Sequence, residues 1–318
     1  MGSCHGRVIA VAADGRRKGS TYGQAMTREP KIVVGIDGTS SGDDAFAFAR
    51  ALAEALGAGL ILTHAYGPDE DRDAARAILE ARRAELGEVD AELDPYADPS
   101  AARTLHRVAA ARRAALVVVG PSHRADLGRI VPGSTGQQLV HDTPRAIAVV
   151  PRGWRARPDH PLAHIGCAYD VSPQAEAALA AAVTLTRALG GRLDVMRAFW
   201  SPPLSGPSGI ALAADLEARG QAGLGRVVQE LPADVDAYAR LLLNDPARAL
   251  VARSQELDLL VIGSRAYGPL HSVWAGSVAR QVLNEAACPV IVVPRGVRPE
   301  LTGGSRPRSA QFEGSEAP

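Results

Sequence analysis

Two constellations of glycine and hydroxyl residues are the places where this chain could hold an anion. Gly120 is followed by Gly133-Ser134-Thr135, and Gly263 by Gly276-Ser277-Val278. In each, the first glycine closes an apolar run and the Gly-Ser pair opens a helical pattern. A glycine at a strand end lets another group approach the backbone closely. A Gly-Ser at a helix start offers free N–H groups, a hydroxyl and the positive end of the helix dipole, a combination that suits phosphate. Asp37 and Asp170 end two further apolar runs, either as caps of the following loops or as ligand-facing carboxylates. Arg124, Arg129 and Arg265 fall in the presumed phosphate loops, solvated or reaching an anion.

Other chemistries are excluded by what those motifs lack. The chain has only two lysines, Lys18 and Lys31, and neither lies in the G-x-x-x-x-G-K-[ST] pattern of a P-loop. Any phosphate must therefore be held by backbone N–H groups, hydroxyls and arginine. Cys4, Cys167 and Cys288 are scattered and form no C-x-x-C. No G-x-S-x-G elbow occurs, and no dinucleotide fingerprint follows the first strand. His64, His123 and His271 have no partner histidine at metal-ligand spacing, so no metal site is expected. No catalytic constellation is found, and hydrolysis of a bound ligand would be weak at most.

The elements that must position these residues repeat. Leu116–Gly120 matches Leu259–Gly263, Gly133-Ser134 matches Gly276-Ser277, and Val149–Gly153 matches Val292–Gly296, all at a separation of 143 (259 minus 116). Asp37 matches Asp170, and Ala55-Leu56-Gly57 matches Ala188-Leu189-Gly190, at a separation of 133 (170 minus 37). The second copy thus carries about ten extra residues, and the Pro/Gly/Ser-rich stretch Ser201–Gly209 is expected to be a loop holding them.

Each copy alternates strand and helix patterns. In the first, strands are expected at Lys31–Ile36, Leu60–Ala65, Val89–Leu93 (a weak one), Leu116–Val119 and Ala146–Val150. Helices fall between them, the first capped by Ser40 or Ser41. In the second, strands are expected at Ile165–Tyr169, Arg192–Ala198, Val235–Leu241, Leu259–Ile262 and Val290–Val293. Ser172 as cap with Pro173 at the first helical position starts its first helix. Alternating βαβα with continuous apolar strands predicts an α/β fold of two tandem Rossmann-like domains, each a five-stranded parallel sheet with helices on both faces. In such sheets a ligand sits beyond the carboxyl ends of the strands, where strand order reverses. The expected division is 1–29 disordered extension, 30–153 first domain, 154–161 linker, 162–296 second domain and 297–318 disordered tail. Met26, just ahead of the first strand, is a second candidate translation start.

Here the motifs resemble those of tandem universal stress proteins. That family's nucleotide signature is a glycine, two residues, a glycine, nine residues, then glycine and serine or threonine. Gly120-x2-His123-x9-Gly133-Ser134 and Gly263-x2-Ala266-x9-Gly276-Ser277 match its spacing, with His123 and Ala266 replacing the second glycine. The likeness covers residues 30 to 296. It implies strand order 3-2-1-4-5 and an ATP site, with or without magnesium. The residues it assigns to that site are Ile36, Asp37, Ala65, Gly120, His123, Gly133, Ser134 and Thr135 in the first copy. In the second they are Tyr169, Asp170, Ala198, Gly263, Arg265, Ala266, Gly276, Ser277 and Val278. The aspartates would lie by the ribose or adenine, Ala65 and Ala198 by the adenine, and the Gly-Ser pairs on phosphate. It also implies that the two fifth strands pair, making a pseudo-dimer within one chain, with a further homodimer and a protein partner open.

Composition fits this reading. Lys plus Arg and Asp plus Glu are each 35, so there is no basic excess to favour nucleic acid. No apolar run approaches the 18 residues or so of a membrane span, and Val8–Ala13 is too short for a signal-peptide core. Few cysteines and no disulfide framework point to a cytoplasmic protein. The function expected is a nucleotide-dependent stress switch or persistence factor. The alternative is an interaction module on the same fold that binds no nucleotide.

Overall fold

A computed structural model describes residues 29–121, 134–142, 144–156, 162–199, 206–264, 277–294, 296–297 and 299–301. The first half runs β1 (Lys31–Gly35), α1 (Ser40–Leu56), β2 (Gly59–Tyr66), α2 (Arg72–Arg83), β3 (Ala91–Ala97), α3 (Ala101–Arg112), β4 (Leu116–Val119), α4 (Ser134–Asp142) and β5 (Ala146–Val149). The second runs β6 (His164–Ala168), α5 (Pro173–Leu189), β7 (Arg192–Phe199), α6 (Gly206–Gln229), β8 (Asp236–Leu243), α7 (Pro246–Arg253), β9 (Leu259–Ser264), α8 (Ser277–Glu285) and β10 (Val290–Pro294).

The central strands are continuous apolar runs because they are buried on both faces. Val33, Val34, Val117, Val118, Leu260 and Val261 are inaccessible to solvent, as strands in a doubly covered parallel sheet must be. The ten strands form one sheet in the order β3-β2-β1-β4-β5-β10-β9-β6-β7-β8. Pairing is parallel within each half, and β1 sits between β2 and β4 just as β6 sits between β7 and β9. The halves join where β5 meets β10 antiparallel, with Ile147 opposite Val292 and Val149 opposite Val290. One face of the sheet is packed by α1, α2, α5 and α6, the other by α3, α4, α7 and α8.

The chain leaving β5 is tied back to α1. Asp44, buried in α1, accepts the backbone N–H of Gly153 (2.8 Å) and of Arg155 (3.0 Å) through its two carboxylate oxygens. Trp154 between them packs edge-on against Phe48, ring centroids 5.7 Å apart. A buried carboxylate is tolerable only with such donors.

Three local expectations are corrected. Thr39, not Ser40 or Ser41, caps α1: its side chain accepts from the N–H groups of Ser41 and Gly42, and Ser41 is already a buried helical residue. β3 lies further on than Val89–Leu93 and runs through Pro95 to Ala97; it is an edge strand, where a missing N–H is tolerated. The loop expected over Ser201–Gly209 is helical from Gly206 onward. α6 spans 24 residues against 12 in α2, and its early Pro207 is compatible with a first turn whose N–H groups need no helical partner. The cap expected at Ser172 forms, accepting from Ala175 N–H at 3.2 Å with Pro173 at the first helical position.

Candidate functional site

Each half carries a crevice at the carboxyl ends of its strands, over the point where the chain reverses direction across the sheet. In the first half, β1 continues for one residue as Ile36, whose N–H reaches Thr63 O (2.9 Å). The chain then turns at Asp37. Its carboxylate accepts from the Thr39 N–H (2.9 Å) and the Thr39 hydroxyl (2.6 Å), so Asp37 does cap its own loop. It also lines the crevice, as do Ile36, Ala65, Gly120 and Thr135 from strands and helices far apart in sequence. The volume enclosed is about 230 Å³.

The second crevice is built by the same hydrogen bonds. Tyr169 N–H reaches Met196 O (2.8 Å), and the Asp170 carboxylate accepts from Ser172 N–H (3.2 Å). Tyr169, Asp170, Ala198, Gly263, Ser277 and Val278 line a volume of about 490 Å³. The Tyr169 hydroxyl donates to Glu176; burial first, then the Glu176 carboxylate, push the phenol well above its ordinary pKa. Behind it, burial likewise raises the Cys167 thiol, which keeps it protonated and unreactive.

Ser134 begins α4. His123, Gly133, Arg265, Ala266 and Gly276, together with Arg124, Arg129 and His271, lie outside the described residues.

Gly120 and Gly263 have a packing reason that sequence reading did not supply. A Cβ on Gly120 would stand 2.0 Å from the carbonyl oxygen of Ser41, and one on Gly263 would stand 2.7 Å from the backbone of Gln174. The close approach expected at these glycines is occupied by the first turn of α1 or α5. Gly42 is constrained less, its Cβ position lying 2.4 Å from the Asp37 carboxylate, the end of a side chain, and 3.1 Å from the Asp37 backbone nitrogen.

Residues that sequence reading did not assign to a ligand site complete the first crevice. His64 is buried, with Nδ1 2.6 Å from Ile36 O and Nε2 2.9 Å from the Glu70 carboxylate. It thus fixes the β1–α1 turn to the loop after β2. Thr63 donates its hydroxyl to Asp94 O (2.8 Å). Thr104 on α3 lines the crevice fully buried, and its hydroxyl has no hydrogen-bond partner. The only sequence signal for it was a hydroxyl residue on the apolar face of α3 between Ala101, Leu105 and Val108. Among the described residues no group of three acidic, histidine or cysteine side chains is arranged to hold a metal. Nor is any helix there long and apolar enough to cross a membrane.

Comparison with known proteins places this geometry. The sequence profile of the universal stress protein family matches residues 30–151 and again 162–294. A universal stress protein of Mycolicibacterium smegmatis is 28% identical over 293 residues, covering 82% of this chain and 96% of its own. One of Mycobacterium tuberculosis is 29% identical over 294 residues, covering 82% and 95%. Among solved structures, a universal stress protein of Archaeoglobus fulgidus superposes with a TM-score of 0.62 at 16% identity, covering 84% of this chain and 98% of that one, a likeness of fold. With two profile matches spanning most of its length and full-length relatives of the same kind, the chain belongs to the universal stress protein family.

Proposed function

We propose that this is a cytoplasmic adenine-nucleotide-binding stress protein, taking ATP, alone or with magnesium, at the crevice beyond β1 and β4 and acting as a nucleotide-dependent switch. The observation that carries the reading is convergence. Ile36, Asp37, Ala65, Gly120 and Thr135, spread over a hundred residues of sequence, border one cavity. That cavity lies where open α/β sheets take their ligands. In this reading Asp37 faces the ribose or base, Ala65 the adenine, and the start of α4, with Ser134, the phosphates. The second crevice offers Asp170, Ala198, Gly263 and Ser277 in the matching places. The role is one of binding, with hydrolysis at most weak. The antiparallel β5/β10 junction supports reading the two halves as a pseudo-dimer within one chain, open to association with a second chain or a protein partner.

The test is to denature the purified protein and chromatograph what it releases. ATP, ADP or AMP in the supernatant is expected, and so is a rise in melting temperature with millimolar ATP, since a ligand that binds only the folded state stabilises it. A protein that releases nothing and does not shift overturns the reading.

One observation favours a second reading, an interaction module with empty pockets. The contacts of Gly120 and Gly263 with α1 and α5 would preserve those glycines without any ligand. Ser134→Ala and Ser277→Ala separate the two readings. They weaken ATP binding under the first, and change only partner binding or oligomeric state under the second.

A further inference from the structure

His64 is the last buried residue of β2 and lines the first crevice. Its ring meets two partners: Nδ1 lies 2.6 Å from Ile36 O, and Nε2 lies 2.9 Å from the Glu70 carboxylate. A carbonyl oxygen can only accept a hydrogen bond, and so can a carboxylate. A neutral imidazole carries one N–H and donates to one of them. Both bonds form together only when the ring holds two protons and a positive charge. With one proton, a ring lone pair faces one of the two oxygens, and that contact turns repulsive. Water is poorly placed to replace it, because His64 is only 7% exposed.

The two bonds join parts of the chain that shape the crevice. Ile36 and Asp37 make the turn out of β1 that borders it, and Glu70 belongs to the loop after β2. The surrounding charges agree with a cation at this place. Asp69 and Asp71 flank Glu70 in its loop, both exposed. Asp37, the other titratable side chain lining the crevice among the described residues, is held by Thr39. On β3 the residue opposite His64 is the uncharged Pro95. The acids near the start of α1 are engaged elsewhere, Asp43 with Arg82 and Arg155 and Asp44 with the backbone of 153 and 155. On α2, Arg72 and Asp73 are exposed and Arg76 pairs with Glu80, while on α3 Arg103 and Arg107 converge on Asp98. The second half keeps a cation at the same register. The matched bonds from Ile36 N–H to Thr63 O and from Tyr169 N–H to Met196 O set His64 in line with Arg197, whose charge is permanent.

We propose that His64 is a positioning residue for the first crevice. Doubly protonated, it ties the β1–α1 turn to the loop after β2; loss of one proton releases one tie, so ligand affinity falls as pH rises. This rests on the nucleotide reading above, with ATP as the ligand. The sign follows from which form is tied. A ligand binds best to a turn already in place, so binding is tight where the ring is charged. It weakens through the range in which histidine loses its charge, about pH 5 to 8.

ATP binding to the full chain is measured by calorimetry between about pH 5.5 and about pH 8.5, for wild type, Glu70→Gln and His64→Asn. The titration of ATP itself is common to the three proteins and cancels in the comparison. Both changes lie in the first half, so a pH step they remove belongs to its crevice. Wild type should lose about tenfold in affinity across the range. The amide of Glu70→Gln can donate to Nε2 of a neutral ring, so this variant should keep the affinity wild type has in acid and lose the step. His64→Asn keeps a donor for Ile36 O but no link to Glu70, and should bind weakly at every pH without a step. Glu70 is a partly exposed loop residue, so its variant decides the matter even if His64→Asn fails to fold. In the empty wild-type protein labelled with 15N-histidine, both ring nitrogens of His64 should carry protons at the acid end, its signals being those missing from His64→Asn. A step of wild-type size in Glu70→Gln, or none in wild type, overturns the positioning role. A ring with a single proton at the acid end overturns the charge state behind it. No ATP bound by wild type at any pH removes the nucleotide reading itself, whatever the ring shows.

Discussion

Val171 and Gly38 hold the same place, one residue past the aspartate that ends the first strand of each half. Both are left-handed, at φ 65° for the valine and 70° for the glycine. Glycine takes that conformation freely, but a valine there sets its Cβ against the following carbonyl at a cost of roughly 1–2 kcal/mol. Val171 recovers little by packing, because 61% of it is exposed. The turn is held instead by its neighbours: Asp170 accepts from Ser172 N–H, and Ser172 caps α5. Val171→Gly should therefore raise the unfolding free energy by roughly 0.5–1 kcal/mol, the strain relieved less the extra chain entropy of glycine. The reciprocal Gly38→Val should lower it by about 1–2 kcal/mol. Urea unfolding of both variants measures this. A loss of stability in Val171→Gly would mean that the valine side chain is held by something other than its backbone position. Strain at this residue was invisible in sequence: only the register of the two halves sets a valine opposite a glycine.

At the scale of elements, Asp194 binds four of them together. It is fully buried in β7, where one oxygen lies 3.1 Å from His164 Nε2 in β6, 2.8 Å from the Arg253 guanidinium in α7 and 3.4 Å from Arg240 in β8. Burial opposes its charge, but the hydrogen bonds from Arg253 and His164 and the charge of Arg240 outweigh it and hold the carboxyl below the usual range. A carboxylate whose folded value is lowered contributes stability above its unfolded value near 4, and loses that contribution as pH falls through the folded value. Asp194→Asn should cost at most about 3 kcal/mol at neutral pH, discounted because Arg240 is half exposed. The gap between wild type and variant should then narrow as pH falls below about 4. A gap that stays constant in acid would show that the loss is one of packing and not of charge. The strands and helices around Asp194 were legible because apolar runs alternate with alanine-rich amphipathic stretches. The aspartate itself was not, since a charge inside Leu193-Asp194-Val195 makes sense only once His164 of β6 and the arginines of β8 and α7 are brought to it. The same limit explains the elements that were misplaced. α6 starts inside a Pro- and Gly-rich stretch that reads as loop, and β3 carries a proline that only an edge position excuses. At the candidate site, the glycines and aspartates were legible through their repeated spacing; Thr104 belongs to it by folding alone, and so does His64, which the sequence offered only as a metal ligand without a partner.

For the molecule as a whole, the question is whether the halves are one cooperative unit. The β5/β10 junction is narrow, three residue pairs in antiparallel register. The packing across it is not: on one face α1 and α5 touch and a single buried cluster runs through both halves, from Leu52 to Leu185. On the other face Leu139 and Ile147 of the first half share a cluster with Val282 and Val292 of the second. Asp44 and Trp154 add a bond between α1 and the chain that leaves β5. Opening either half would therefore expose apolar surface of the other, at about 25 cal/mol for each Å², and partial unfolding should be disfavoured. The expected outcome is a single transition in urea. Trp154 reports the packing of α1 against the chain that leaves β5, and far-ultraviolet circular dichroism reports all the helices. In a Trp200→Phe, Trp274→Phe protein the two signals should share one midpoint, the equilibrium sign of two-state behaviour. Separate midpoints would mean that the first half melts apart from the rest. In that case a ligand bound in the first half could not bias the second, and the switching role would have to be confined to one half.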